Sequence, residues 1–144
     1  MFRLFCIAIL VLLSVIDIVS LTVPDAAVLM LLGAAVIWMP AESLLDAMPA
    51  ATAILGAYLL TALLCSVLKR PVPFGMGDIK LLCALSLGLC TAELLQLLAA
   101  AAVLAGVYAA ILLALKKAGP KSQMPFVPFI AAGYVFAAFP GLGI

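Results

Sequence analysis

No histidine occurs among the 144 residues, which excludes Ser-His and Cys-His nucleophiles, imidazole metal sites and a histidine base. Acid–base chemistry at neutral pH then falls to carboxylates, lysines or a cysteine. The four cysteines, Cys6, Cys65, Cys83 and Cys90, are scattered through apolar stretches without a C-x-x-C pair. They read as buried thiols, not as a zinc or disulfide framework, and no metal or other cofactor is expected. Among the six acids, Glu42, Asp46 and Glu93 fall in polar breaks between apolar runs, where a solvated charge is ordinary. Asp25, one residue after Pro24, reads as the N-cap of the next helix. Asp17 and Asp78 are different: each sits at the edge of an apolar segment, where a charge is costly and marks function or a partner. Two such carboxylates brought together would repel if both were ionised, and so would share one proton. One can then take a proton from water while the other, protonated, polarises a carbonyl, which is chemistry for breaking a peptide bond. The same spacing also fits a plain interfacial turn with Asp78 as an N-cap.

The elements that would position these acids are set by composition. Of the residues 69% are apolar and only 9% charged, far below the quarter usual in soluble domains, so lipid must solvate most side chains. The net charge of +1 and the absence of a basic run give no reason to expect nucleic acid. Charges divide the chain into apolar windows at 4–16, 26–41, 47–68, 81–92, 94–115 and 122–144. The windows 47–68, 94–115 and 122–144 can each cross a hydrocarbon core of about 30 Å. The other three are short, and 81–92 would rise only about 18 Å as a helix. Reading 81–115 as one span would give five helices and put the basic residues of 69–80 and 116–121 on opposite sides. Six spans place Lys69, Arg70, Lys80, Lys116, Lys117 and Lys121 together, with only Arg3 opposite, as the positive-inside bias requires. The expectation is therefore an all-α membrane protein, a bundle of six transmembrane helices forming a single domain over 1–144. Its amino terminus faces outward, and Asp17 and Asp78 lie at one depth on the cytoplasmic face. Pro40, Pro49, Pro71, Pro73, Pro120 and Pro125 are expected at or near helix ends, and Thr91 caps the fifth helix with Glu93 in its first turn. A cleaved signal peptide over 1–22 is the rival reading of the amino terminus; no A-x-A site follows, and Asp17 would be out of place in one.

Around Asp78 the run Pro71-Val72-Pro73-Phe74-Gly75-Met76-Gly77-Asp78 does not read as an ordinary helix. Irregular backbone at membrane depth is tolerated only against protein or a water-filled cavity, and glycine lets another backbone, such as a bound peptide, come close. Gly75-Met76-Gly77-Asp78-Ile79-Lys80-Leu81-Leu82 resembles the GxGDxKLL signature of type IV prepilin peptidases, which share GxGD with presenilin. Asp17 followed by Pro24 resembles that family's D-x6-P-N segment, and Met124-Pro125-Phe126-Val127-Pro128-Phe129-Ile130-Ala131 is similar to its late P-F-G-P-F-L-A motif. The three matches occur in the family's order along essentially the whole chain.

The resemblance implies an aspartic endopeptidase of the bacterial inner membrane. It would remove the short basic leader of a type IV prepilin or type II secretion pseudopilin, cutting after a glycine at the cytoplasmic face. Asp17 and Asp78 would be catalytic, Gly75 and Gly77 would shape the motif, and Pro24, Pro125, Phe126 and Pro128 would line or support the site. Lys80 reads as a positive-inside anchor pointing away from Asp78. Several residues depart from the pattern: the segment after Asp17 is not basic, Asp25 stands for the usual asparagine, and Val127 stands for a glycine. Bifunctional relatives also carry a cytoplasmic insert with paired C-x-x-C motifs and N-methylate their product. This chain has no such insert, so cleavage without methylation is expected, as from a short form. Two other classes fit the same acids: a catalytically silent assembly factor with the same fold, or a small ion- or proton-coupled transporter subunit. Small residues along the fifth helix, from Ala99 to Ala102 and at Ala105, Gly106, Ala109 and Ala110, fit close packing within the bundle or a homo-oligomer.

Overall fold

The computed structural model describes residues 1–69, 75–115 and 124–139. Among these are six helices and no strand: α1 (Phe2–Ser20), α2 (Asp25–Trp38), α3 (Ala41–Val67), α4 (Met76–Ser86), α5 (Thr91–Ala114) and α6 (Val127–Ala138). The protein is all-α, and α1, α3 and α5 are long and apolar enough to cross a membrane. At 14, 11 and 12 residues, α2, α4 and α6 rise only about 21, 16 and 18 Å. Large apolar side chains stand exposed along the long helices, for example Val11 and Val15 on α1, Leu59 and Leu63 on α3, and Val103 and Val107 on α5. Such surface is stable only where lipid covers it, and this is a membrane protein.

Helix ends differ from expectation in ways that matter for the acids. The first helix runs past the window 4–16 to Ser20, taking Asp17 into its last turn. It closes at Leu21, whose φ of 53° lies in the left-handed region and whose N–H donates to the Asp17 carbonyl at 2.9 Å. Asp25 is not an N-cap: Pro24 occupies that position and Asp25 is the first helical residue. The third helix begins at Ala41, not 47, so Glu42 and Asp46 lie on it and Pro49 is interior, not terminal. The carbonyl of Pro49 accepts from Thr52 Oγ1 at 2.9 Å. Glu93 does fall in the first turn of α5, but Thr91 is the first residue of that helix and not the cap before it. The fourth and fifth helices are separated by the turn 87–90, not joined in one span. Cys90, in that turn, is exposed, unlike the buried Cys6. Arg70, Pro71 to Phe74, and the stretch 116–123 with Lys116, Lys117, Pro120 and Lys121 lie outside the described residues.

The chain forms two compact units, Met1–Cys6 with Val23–Thr91, and Ile7–Thr22 with Ala92–Ile144. In the first, α4 packs against α2 and α3 through Leu81, Leu82 and Leu85, all buried, and Cys83 Sγ reaches the Ala51 carbonyl at 3.6 Å. The ring of Phe2 lies so close over Gly88 that no Cβ could stand there, and Phe5 meets Trp38 edge to face at 5.0 Å. The first turns of α1 thus sit beside the far ends of both α4 and α2. In the second unit, α6 lies on α5. A Cβ on Gly133 would come within 2.7 Å of the Leu97 carbonyl oxygen and 3.3 Å of the Ala101 nitrogen, so the two backbones touch because Gly133 has no side chain. Helices in lipid gain little from burying apolar surface against each other, and close contacts of this kind are what hold them.

Candidate active site

The second unit holds Asp17, and the structure ties it to the late motif. Its carboxylate is 5% exposed, and Oδ2 accepts a hydrogen bond of 3.0 Å from the backbone N–H of Val127, 110 positions later. The local chemistry of α6 explains why that donor is on offer. A helix begins with N–H groups that lack partners within it. The N-cap, Phe126, supplies no side-chain acceptor, and Pro128 carries no N–H. Phe129 and Ile130 both donate to the Phe126 carbonyl, at 3.1 and 3.2 Å. Val127 N–H is the donor left over, and Asp17 takes it. Pro125, Phe126 and Pro128 are half-buried around this contact. Phe129 extends the cluster, its ring 5.5 Å from Tyr108 and 6.5 Å from Phe126. The role of the late motif here is thus partly a backbone role, which a reading by side-chain type missed. The departure of Val127 from the family's glycine leaves that N–H untouched.

The first unit holds the other group. Asp78 is the third residue of α4, half-buried, and the N-cap is Gly75, so Asp78 is not the cap itself. Gly75 has φ −69° and ψ 140°, which any residue can adopt. The Asp78 carboxylate folds back over it, with Oδ2 3.4 Å from where a Gly75 Cβ would be. A carboxylate in the first turn, near the positive end of the helix dipole, is favourably placed. Gly77 meets its own chain and not an open approach path: a Cβ there would fall 2.9 Å from Val23 Cβ and 3.2 Å from Val23 Cγ2. The segment before α2 is therefore pressed onto the start of α4, with Pro24 capping α2 just beyond it.

Lys80 secures the same junction. Its Nζ lies 2.8 Å from Asp25 Oδ1, with the two side chains 45% and 71% exposed. At such exposure the pair contributes about 0–1 kcal/mol. Lys80 thus has a specific partner in addition to the anchoring role its position implied. Asp25 is the residue that sequence reasoning missed here, because a first-turn acid was read as a cap. The two groups, Asp17 with Val127 and Asp78 with Gly75, Gly77, Val23, Pro24, Lys80 and Asp25, belong to different units.

The model of the type IV leader peptidase family matches residues 4–110, well over half of the chain. The match takes in Asp17, Pro24 and the whole Gly75–Lys80 run, and stops short of the motif at Pro125. No curated protein and no solved structure matches.

Proposed function

The chain belongs to the type IV leader peptidase family, and on that premise we propose that it is an aspartic endopeptidase with Asp17 and Asp78 as its catalytic pair. The observation that carries this reading is the state of Asp17. A carboxylate 5% exposed near the end of an apolar helix, and held there by a hydrogen bond, is costly without a function. Asp78 supports it from the other motif, half-buried in the first turn of α4 just after Gly75 and Gly77.

In the proposed reaction, water adds to the scissile carbonyl carbon as one carboxylate takes its proton. The other, protonated, gives its proton to the carbonyl oxygen. Collapse of the tetrahedral intermediate breaks the C–N bond; the first carboxylate protonates the leaving amine and the second recovers its proton. The substrate proposed is the basic leader of a type IV prepilin or type II secretion pseudopilin, cut after a glycine at the cytoplasmic face of a bacterial inner membrane.

A six-span topology with the amino terminus outside belongs to the same proposal. Two features of the first unit support it: α2 and α4 begin side by side at Asp25 and Lys80, and the first turns of α1 lie against the ends of both. Alternate crossing requires such directions. The short helices then fit if the bilayer thins locally or flanking residues complete the crossing.

Co-expression with a panel of prepilins and pseudopilins, read by intact mass, tests the function. The wild type should release a leader, and Asp17→Asn and Asp78→Asn should each abolish release while still reaching the membrane. Processing by either variant at the wild-type rate would remove the pair from the mechanism.

A further inference from the structure

We propose that the start of α6 is the positioning element of the active site. In this view the Val127 N–H, left as the spare donor by Pro128 and Phe126, fixes the Asp17 carboxylate in the orientation from which it takes the proton of water. The inference rests on the reading of Asp17 as catalytic and adds a division of labour to it.

The geometry argues as follows. Asp17 is on the last turn of α1, where its own helix presents carbonyls, so local structure gives an anion nothing. The compensating donor comes from another helix, at its positive end, along a buried 3.0 Å hydrogen bond. A buried hydrogen bond to a carboxylate is short and directional, and it holds the group in one orientation. The contact α6 makes with Asp17 at its start comes from the backbone, and the titratable side chain on α6 is the buried Tyr134. On the other elements of this unit the titratable groups are Tyr108, whose ring is against Phe129, and Glu93 at the start of α5; the lysines of 116–121 lie outside the described residues. Pro128 matters because it takes away the next N–H along the helix, leaving one donor at one angle. With Asp17 taking the proton of water, Asp78 supplies the proton to the carbonyl oxygen.

The decisive change removes the N–H and nothing larger. Replacing residue 127 by its α-hydroxy analogue, in cell-free synthesis into lipid nanodiscs, turns that amide into an ester. Val127→Pro removes the same donor at a helix position that suits proline. It also disfavours the αR backbone of Phe126, at φ −98° and ψ −25°, so the ester is the cleaner of the two tests. An ester at Ile130, whose N–H goes to the Phe126 carbonyl, is the control for a weakened helix start. The ester at 127 should lower kcat about tenfold or more, the scale of one charge-assisted hydrogen bond, with little change in KM. The ester at 130 should leave kcat near the wild-type value. If the 127 ester keeps the wild-type kcat while Asp17→Asn is inactive, the positioning role is wrong and the catalytic pair stands. If Asp17→Asn itself cleaves normally, both the pair and this inference fall.

Discussion

Gly77→Ala puts a methyl group where Val23 already stands. The added Cβ would lie 2.9 Å from Val23 Cβ and 3.2 Å from its Cγ2. Carbon atoms in good contact sit about 3.5–4.0 Å apart, so the overlap is about 0.6–1 Å. The nearer atom is Cβ, fixed to its backbone, and no rotation of the valine relieves it. Either the segment before α2 or the first turn of α4 must move. Overpacking of this kind costs about 1–3 kcal/mol. The better helix propensity of alanine returns about 0.5–1 kcal/mol, leaving a net loss of about 0–2.5 kcal/mol. The rate should suffer more than the fold, because Asp78 is the next residue and moves with the turn. A catalytic group misplaced by about 1 Å loses on the order of a hundredfold. Leader release timed by intact mass, with thermal unfolding in detergent alongside, reads both effects. Gly75→Ala is the contrast: its Cβ would meet Asp78 Oδ2 at 3.4 Å, and its φ suits any residue, so its loss should be much smaller. Val23→Gly in the Gly77→Ala background removes the obstructing atoms and should restore most of the rate, measured against Val23→Gly alone. Wild-type rate and stability for Gly77→Ala, or no recovery in the double variant, would refute the steric reasoning.

Gly133→Ala should lower unfolding stability by about 1–3 kcal/mol, since the new Cβ meets the Leu97 carbonyl oxygen at 2.7 Å and the obstacle is backbone; an unchanged transition temperature would contradict that packing. Lys80→Ala and Asp25→Ala should each shift stability by no more than about 1 kcal/mol, and the double variant by little beyond either single change, as a thermal double-mutant cycle would record. In a Cys-free background, cysteines at Lys69 and Ser122 should be labelled only from the cytoplasm and one at Ser43 only from outside. Labelling of the first two from opposite sides would return the five-span arrangement.

The number and order of the helices were readable from where charges interrupt apolar runs. Their ends were not, and the reasons are physical. Glu42, Asp46 and Pro49 look like a polar break, yet α3 carries all three. Lipid does not forbid acids near a helix terminus, and the missing N–H of one proline can be tolerated within a helix of 27 residues. Asp25 fitted the rule for an N-cap, but Pro24 took that position, and the carboxylate found Lys80, 55 residues away. Spacing along one helix says nothing about a partner on another. Gly77 was legible as a place of close approach, while the identity of what approaches, Val23, depends on the tertiary fold. Asp17 and Asp78 stood out because their residue type conflicts with their surroundings. Val127 did not, because what it supplies is a backbone N–H, which every residue but proline possesses.

The distance in sequence between Asp17 and its donor also sets a clock. The carboxylate is synthesised 110 residues before the Val127 N–H that holds it. At about 5–20 residues per second, translation takes about 5–20 s to supply that partner. Throughout that interval the first helix can be in the bilayer with its aspartate not yet held by that donor. On the proposed positioning role, a chain stalled upstream of α6 would insert with Asp17 unheld and should cleave more slowly than the finished one.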